Sequence, residues 1–386
     1  MVRKLPGDSI RLGEDVMPFV KNAWYIAAHA TELDKEFVSR MIANQQIVMF
    51  RKADGSVAAL EDRCPHRFVP LSMGKRIGDT IECGYHGLRF AADGSCADAP
   101  NDKAQQARIC VRTFPVVERY TVIWLWFGAP EDADPALIPA FDFMSDANYA
   151  VARGYSHIKA NYELLADNLL DLSHVHYLHP TLHAGSDFSD FTNKLKIEDD
   201  TVWSMLWRHH YHLDETRQKT MEIYEEDIEG QGHSRWNAPG SLLVDTAFWK
   251  HGDTIEDGVR SPSAHLLTPE TESTTHYFWA SGRNNDIHNV PRTRMTEERM
   301  HVVFETQDGP MCEAQQRYLG TETDFLAAQP IILKADAAGV AARRVIRRKL
   351  RQEAAGAEAK VASEQDQARV DIGGSVGRKA ALQPSA

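Results

Sequence analysis

The sequence contains few cysteines, and their number argues against a disulfide framework. There are five cysteines in 386 residues, and an odd number leaves at least one thiol unpaired. Disulfides persist mainly in oxidising compartments, so we expect a reducing, cytoplasmic setting. In that setting cysteine thiolates remain available as metal ligands.

Three other features are lacking, and each argues against a class of protein. The formal net charge is −12, so nucleic acid is not an expected partner. No apolar run is long enough to span a membrane, and the basic N-terminal stretch MVRKLPGDSIRLGEDVM has no apolar core behind it, so we expect no signal peptide. A G-x-G-x-x-G fingerprint is also lacking, which argues against a dinucleotide site in this chain.

Residues 20–128 have the pattern of a small antiparallel β-domain. The tetrapeptide Ala-Asp-Gly-Ser occurs at 53–56 and again at 92–95, each time next to a β-prone run. Asp-Gly in this position is a strong hairpin signal. The runs ICVRTF and TVIWLWF predict two further strands.

The rest of the chain predicts a second, mixed domain. A proline-containing linker over 129–148 is followed by an α+β region over 149–351, which ends in a helix from Asp336 to Leu350. We expect the basic run at 343–351 to form a solvated helix face. The tail over 352–386 is poor in large apolar residues, so we expect a frayed helix or a flexible segment.

Two cysteines and two histidines in the β-domain form a metal-binding pattern. Cys64 and His66 are separated by one residue, sixteen residues follow, and Cys83 and His86 are separated by two. Such paired loops can bind Zn²⁺ or a [2Fe–2S] cluster in which two cysteines hold one iron and two histidines the other. A structural zinc site is the alternative interpretation.

A second pattern lies in the leucine-rich stretch 164–180, which contains Asp167, Asp171, His174 and His179. Buried ionisable groups need compensation, and metal coordination is one form of it. On an ideal helix His174 and His179 would point roughly 140° apart, so a shared metal requires the helix to loosen or end between them. The following proline favours such an end. The competing ligand pairs are His176 with His179 and His179 with His183, and a helix of satisfied core histidines is the alternative.

Together the two patterns resemble a known family. CPHR followed by CGYHGLRF resembles the Rieske [2Fe–2S] motif, and DNLLDLSHVHYLH resembles the mononuclear iron motif of Rieske non-haem iron oxygenases. WYIAAHATEL and HLLTPETESTTHYFW resemble the vanillate O-demethylase branch, which includes dicamba monooxygenases. The resemblance implies an α+β protein with an N-terminal all-β Rieske domain and a C-terminal catalytic domain, a helix-grip-like antiparallel sheet with helices.

The resemblance also implies a ligand set for each metal. Cys64, His66, Cys83 and His86 would hold the cluster. His174 and His179 would hold the mononuclear iron, with His176 as a bystander. The third iron ligand would be Asp308, although Glu305 and Glu313 compete and Asp308 could instead be an exposed helix N-cap.

Three residues of the helix motif take further roles by resemblance. Asp171 would bridge the Rieske histidine His86 of one subunit to the iron ligand His174 of its neighbour in a homotrimer. Asn168 would lie beside the iron, and Asp167 would support the helix by hydrogen bonding.

The implied activity is that of a terminal oxygenase. It would use O₂ and electrons from a separate reductase, and possibly a ferredoxin, to remove an alkyl group from oxygen or nitrogen of an aromatic substrate. NAD(P)H would enter only through the reductase. A ring-hydroxylating dioxygenase shares every metal motif and is the alternative. A Rieske-type electron carrier or a zinc-structured binding protein is a more distant alternative.

The substrate pocket should come from residues 180–300. Four aromatic side chains are possible walls of it: Trp203, Trp236, Phe248 and Trp249.

Two further sets of ionisable residues are not part of either metal-binding pattern. The run from Trp207 to His212 contains His209, His210 and His212, but no cysteine or carboxylate at a suitable spacing. It therefore favours a strand surface or pocket lining over a metal site. Four cations flank the cluster loops and suggest a basic docking patch for the electron donor: Arg63, Arg67, Lys75 and Arg76.

Overall fold

The structure is a computed structural model, and it describes residues 19–179, 192–213, 215–322 and 324–375. Within the N-terminal part of this range, ten short strands form three small antiparallel sheets. The strands are β1 (Trp24–His29), β2 (Val38–Ile42), β3 (Gln45–Arg51), β4 (Val57–Glu61), β5 (Lys75–Ile77), β6 (Thr80–Glu82), β7 (Arg89–Ala91), β8 (Cys96–Asp98), β9 (Val116–Arg119) and β10 (Val122–Trp126). The sheet orders are β1-β10-β9, β2-β3-β4 and β5-β6-β7-β8.

The C-terminal part contains a large antiparallel sheet, in the order β11-β17-β16-β15-β14-β13-β12. Its strands are β11 (Ala150–Ile158), β12 (Thr192–Glu198), β13 (Thr201–Tyr211), β14 (Ile228–Asn237), β15 (Ser241–Lys250), β16 (Val259–Thr271) and β17 (Thr274–Arg283). The helices are α1 (Tyr162–Leu170), α2 (Val175–Leu178), α3 (Glu215–Met221), α4 (Val290–Val303), α5 (Gly309–Leu319) and α6 (Ala337–Ser375). This arrangement confirms the predicted fold class.

Both Ala-Asp-Gly-Ser segments form the predicted hairpin turns, between β3 and β4 and between β7 and β8. In the second turn the backbone N–H of Ser95 donates to Oδ1 of Asp93 over 2.9 Å. Gly94 has a φ of +81°, and a Cβ atom there would lie 2.1 Å from the carbonyl oxygen of Val111. Only glycine fits that position, because both its φ and its space are denied to other residues.

Of the two strands predicted at the end of the β-domain, one is confirmed and the other is wrong. TVIWLWF contains β10, whose five residues are all buried. Burial of each of its aliphatic side chains contributes about 1.5–3 kcal/mol. The run ICVRTF is not a continuous strand. Cys110 bridges to Ser95 and Thr113 to Leu60, so this run crosses between two sheets and pairs continuously with neither.

The late helix is longer than predicted. It runs without interruption from Ala337 to Ser375, past the expected boundary at residue 352. The predicted domain boundaries themselves stay predictions.

The two domains are joined by hydrogen bonds from side chains of β16 and β17 to backbone carbonyls of the N-terminal domain. Oγ1 of Thr268 donates to the carbonyl oxygen of Ile26 over 2.8 Å. Nε2 of His276 contacts the carbonyl oxygen of Met41 at 2.9 Å. These contacts fix the catalytic sheet against β1 and β2 of the N-terminal domain.

Candidate metal centres

The two cysteine loops of the β-domain have the same backbone geometry. In each loop the cysteine N–H donates to the carbonyl oxygen five residues later, Cys64 to Val69 and Cys83 to Leu88. The cysteine carbonyl accepts from the N–H four residues later, which belongs to Phe68 in one loop and to Gly87 in the other. Both of those residues have a positive φ, +61° and +73°. The sequence thus builds two similar turns that face one another.

The side chains of these loops suit a [2Fe–2S] cluster. Both cysteines are buried free thiols, whereas the rings of His66 and His86 lie toward the surface with centroids 4.5 Å apart. Burial raises the pKa of the Cys64 thiol, and the adjacent Cys83 thiol raises it further, while the backbone N–H groups of His66 and Arg67 lower it. Two neighbouring buried thiols with amides directed at one sulfur fit the ligand set of a bound iron cluster.

The helix that carries the second motif breaks before its first histidine. Helix α1 ends at Leu170, and Asp171 leaves the helical region with a φ of −107° and a ψ of 94°. A 3₁₀ turn over Leu172–His174 and the short helix α2 follow. His179, at the end of α2, is again non-helical. The sequence predicted a break between His174 and His179, and the structure has an additional break at Asp171.

A π-helical turn positions the carboxylate. Phe304–Asp308 forms this turn between α4 and α5. Such turns insert an extra residue into a helix and occur frequently at functional sites. Asp308 is 4% exposed and its side chain makes no N-cap hydrogen bond, so it is not the exposed N-cap of the alternative interpretation.

Three side chains converge on one point. Oδ1 of Asp308 lies 3.1 Å from Nε2 of His179 and 3.5 Å from Nε2 of His174. One ligand atom from each of the three residues falls within 4.8 Å of the others. Two imidazoles and one carboxylate are the donors of the facial triad that binds non-haem iron. The side chains present therefore fit the metal.

The Nδ1 atoms of the two ligand histidines are also fixed, by hydrogen bonds. Nδ1 of His179 donates to Oε1 of Gln307 over 2.7 Å, and Nδ1 of His174 donates to the backbone carbonyl of Asp171 over 2.6 Å. These contacts direct both Nε2 atoms toward Asp308. Burial lowers the pKa of His179, but Asp308 and Gln307 outweigh it and raise the pKa overall. Sequence reasoning missed Gln307, and its place directly before Asp308 is the one signal that could have found it.

The other candidates for the iron site lie elsewhere or act indirectly. Glu305 is about half exposed and accepts from Oγ of Ser156, and Glu313 accepts from the backbone N–H of Lys159. Asn168 donates from Nδ2 to Oδ1 of Asp308 over 3.3 Å, so it touches the carboxylate. The side chain of His176 and all of His183 lie outside the described residues.

Within one chain Asp171 contacts His174 through its backbone. Its backbone carbonyl, not its carboxylate, binds His174 within this chain. Oδ1 of its carboxylate accepts from the backbone N–H of Ser173 over 2.9 Å and so caps the 3₁₀ turn. The side chain is half-buried. Its predicted role between subunits stays a prediction.

A buried ionic cluster fixes α1 against α6. Arg343 lies 2.7 Å from a carboxylate oxygen of Asp167 and 3.0 Å from one of Glu163. The Arg343 side chain is 3% exposed. The expectation of a solvated basic face was therefore wrong for this residue, because α1 supplies two carboxylates to the buried side of α6. Asp167 supports its helix as predicted.

A cavity of about 210 Å³ reaches the candidate site from the side of α6. Asn168, Asp171 and His174 line it. None of the four predicted pocket aromatics does, and Trp236 is a core residue, 1% exposed. Residues 180–191 of the predicted pocket segment lie outside the described residues, so the pocket boundaries stay a prediction.

A buried histidine–tyrosine pair lies near Asp308, and sequence reasoning did not find it. Nδ1 of His265 contacts the hydroxyl of Tyr277 at 2.6 Å. Burial lowers the pKa of His265 to about 4, opposed by the charge of Asp308. The imidazole is therefore neutral at physiological pH and adds no positive charge beside the iron ligands.

The expected basic patch near the cluster is largely neutralised. Lys75 pairs with Glu82 at 3.0 Å, and Arg76 with Asp79 at 3.6 Å. Arg63 lies 3.7 Å from Glu61. The histidines of the run from Trp207 to His212 are exposed, which agrees with a strand surface.

Comparison with known proteins gives two family matches and close relatives. Residues 23–115 match the Rieske [2Fe-2S] domain, and residues 158–352 match the vanillate O-demethylase oxygenase C-terminal domain. The chain is 33% identical over 337 residues to the oxygenase component of chloroacetanilide N-alkylformylase from Rhizorhabdus wittichii, which covers 87% of this chain and 97% of the relative. It is 34% identical over 341 residues to the oxygenase component of dicamba O-demethylase from Stenotrophomonas maltophilia, 88% of this chain and all of the relative.

A solved structure resembles the whole described fold. Dicamba monooxygenase with non-heme iron and dicamba superimposes with a TM-score of 0.75 at 33% identity, over 88% of this chain and 99% of that chain. Among the described residues, no helix is both long enough and apolar enough to cross a membrane.

Proposed function

Since the chain belongs to the vanillate O-demethylase oxygenase family of Rieske non-haem iron oxygenases, we propose that it removes an alkyl group from oxygen or nitrogen of a small aromatic substrate. It is a terminal oxygenase component, an oxidoreductase whose cofactors are a [2Fe–2S] cluster and a mononuclear iron. The observation that carries the proposal is the convergence of His174, His179 and Asp308 in a chain similar over nearly its whole length to O- and N-dealkylating oxygenases.

The ligand assignment follows the donor sets. Cys64, Cys83, His66 and His86 would hold the cluster, and the His174–His179–Asp308 triad would hold the iron. When bound, the cluster supplies stored electrons and the iron supplies O₂ activation.

The protein's own contribution is to fix the ligands before the reaction. Gln307 and the carbonyl of Asp171 hold the two Nδ1 atoms, so neither ring can rotate freely. Asn168 restrains Oδ1 of Asp308. His179 and Asp308 are almost fully buried, which limits water at the site and strengthens each of these polar contacts.

We propose that the active form is a homotrimer in which Asp171 faces the cluster of a neighbouring subunit. Two exposed apolar regions support this. Phe68, Met73 and Tyr85 are 61–71% exposed around the cluster loops, and Tyr177 is 84% exposed beside the iron motif. Exposed apolar side chains mark protein–protein contacts where they form a contiguous patch.

The electron donor is a separate protein. The family's members are oxygenase components of larger systems, which implies a reductase and, in some systems, a ferredoxin. The cations near the cluster are mostly paired, so the basic docking patch for the donor stays a prediction.

Product analysis tests the activity. The purified, iron-loaded protein would be reduced through a surrogate reductase and offered methoxybenzoates, N-alkyl anilides and unsubstituted arenes. Aldehyde release and the mass of the product would be measured together. Aldehyde formed in step with loss of an alkyl group is the expected result, and its amount across the panel ranks O- against N-linked substrates.

Two results would contradict the proposal. Addition of two oxygen atoms without aldehyde would identify a ring dioxygenase. The proposal would also be contradicted if the cluster is reduced and an arene is oxidised, but no dealkylation substrate gives a product.

A further inference from the structure

A second group of metal-type ligands lies at the surface of the large sheet. His210, Glu229 and His251 each offer one ligand atom, and the three atoms fall within 4.8 Å of one another. The candidate iron triad meets the same criterion. The three residues come from, or directly follow, the neighbouring strands β13, β14 and β15, and the proposed dealkylation does not use them.

A β-bulge creates this group. Arg208 pairs with Gly230 and Tyr211 with Ile228, so two residues, His209 and His210, lie opposite the single residue Glu229. Bulges of this kind redirect side chains, and His210 has the corresponding positive φ of +51°. Simple strand alternation, which would place His210 and His212 on one face, therefore fails here.

The neighbouring strands supply the carboxylates that the histidine run itself lacks. Oε1 of Glu229 lies 2.6 Å from Nδ1 of His251, and Oε2 lies 2.5 Å from Nδ1 of His209. Oδ1 of Asp227 lies 3.0 Å from Nδ1 of His210. The contact with Asp227 orients the His210 ring in the way that a carboxylate commonly orients a metal-bound histidine.

We propose that His210, Glu229 and His251 bind a divalent transition-metal ion of the zinc type at this surface. Two imidazoles and a carboxylate are a donor set of open zinc sites, in which water completes the shell. With metal–ligand bonds of about 2.0–2.2 Å, tetrahedral ligand atoms lie roughly 3.3 Å apart. The present spacing needs only small side-chain movements to reach that value.

Ion pairing explains the contacts of Glu229 with His209 and His251, but it does not explain why the His210 ring lies so close to the His251 ring. The ring centroids of His210 and His251 are 4.5 Å apart, and two protonated imidazoles at that distance would repel one another. Exposed ion pairs also contribute little on their own. A shared cation explains both the close approach of the rings and the shared carboxylate, and it would tie three strands together.

Zinc uptake by the iron-loaded, tag-free protein tests this site. The protein would be dialysed to equilibrium against a series of Zn²⁺ concentrations, and zinc and iron would both be measured by elemental analysis. We expect about one zinc ion per chain with no loss of iron. The variants His210→Ala, His251→Ala and Glu229→Gln should each bind zinc at least about tenfold more weakly, whereas His209→Ala, which only orients Glu229, should weaken it less.

His157→Ala is the matched control. His157 is a partly exposed histidine 2.6 Å from a carboxylate, that of Glu270, and its removal should leave zinc uptake unchanged. Folding of every variant is checked by cluster absorption and by its Tm without zinc. Zinc should raise the Tm of the wild type and of the control equally, and should raise the Tm of the three ligand variants least. Equal zinc uptake by His251→Ala and wild type would overturn the proposal, and so would zinc gained only as iron is lost.

Discussion

Oδ1 of Asp308 and Nε2 of His179 lie 3.1 Å apart, although the two residues belong to elements that approach each other from different parts of the chain. Two local departures from α-helical geometry make the contact. His179 lies at the non-helical end of α2, and Asp308 ends a π-helical turn. The candidate iron site therefore depends on irregular backbone at both positions, while the surrounding helices remain regular.

Replacement of Asp308 by asparagine should remove the mononuclear iron. The isosteric amide keeps the shape but loses the charge that balances the metal, so product formation should fall by more than roughly 100-fold, since even groups behind a ligand are worth 10–100-fold. The cluster spectrum should persist. Glu313→Gln is the control, because Glu313 binds a backbone N–H instead. Normal iron content in the Asp308→Asn protein would refute the assignment.

Gln307 is expected to act as a positioning residue for His179. Its Oε1 atom accepts from Nδ1 of that ring, so Gln307→Leu should weaken iron binding by roughly 10–100-fold. Gln307→Glu retains an acceptor at the same place and should restore most of the binding. The measurement is the rate of iron loss to a chelator, compared between the two variants. If both lose iron equally fast, Gln307 is only a packing residue.

Asp171→Asn separates the two roles of Asp171. Asparagine caps a helical turn about as well as aspartate, so the turn at Ser173 should persist while the charge is lost. If Asp171 couples neighbouring subunits, the cluster should still accept electrons while product formation falls roughly 10–100-fold. Rapid-mixing absorption of the cluster, followed with and without substrate, measures the two steps separately.

A mixed assembly tests the subunit arrangement directly. Subunits with His86→Ala lack a cluster ligand, and subunits with Asp308→Asn lack an iron ligand. Co-expressed and purified through two different tags, they should regain part of the activity, because an intact cluster then faces an intact iron across the interface. Activity no higher than that of either variant alone would argue that electrons pass within one chain.

Arg343 should contribute more to stability than an exposed arginine of the same basic helix, because its side chain is buried. Its removal would leave Asp167 without its cation and Glu163 with only Arg347. Breaking a buried ion pair costs up to about 3–5 kcal/mol. Arg343→Ala should therefore unfold at a clearly lower urea concentration than the wild type. Arg344→Ala, on the exposed side of the same helix, should unfold at the wild-type midpoint.

The sequence was most informative where a contact is local and least informative where it is not. The spacing of Cys64, His66, Cys83 and His86 indicated a paired loop site, and the structure brings the two loops together. The partner of His179 could not be derived from spacing, because Asp308 reaches it through tertiary packing. The same limit applied to His210, whose carboxylate partners come from the adjacent strand at a bulge that residue periodicity does not predict.

Irregular backbone was the second limit on what could be predicted from the sequence. An ideal helix would have placed Asp171 and His174 on one face, but the chain leaves the helix at Asp171 itself. Its carbonyl then becomes free to bind His174. Because any residue has a backbone carbonyl, the residue type at this position does not predict the contact. The residue pattern before Gly309 does not predict the π-helical turn either.

The burial of His276 should make stability depend on pH. Burial and, to a smaller extent, the charge of the nearby Arg40 lower the pKa of His276 to about 4. The folded protein therefore holds this ring neutral at pH values where the unfolded chain would protonate it, below its ordinary pKa of about 6.5. Between those values the unfolded state binds more protons, and stability is lost as pH falls. At pH 5.5 the loss from this group is on the order of 1 kcal/mol. His276→Gln lacks the titrating ring, so its Tm should fall less between pH 7.5 and 5.5 than that of the wild type. An equal fall in both proteins would show that other groups carry the acid sensitivity.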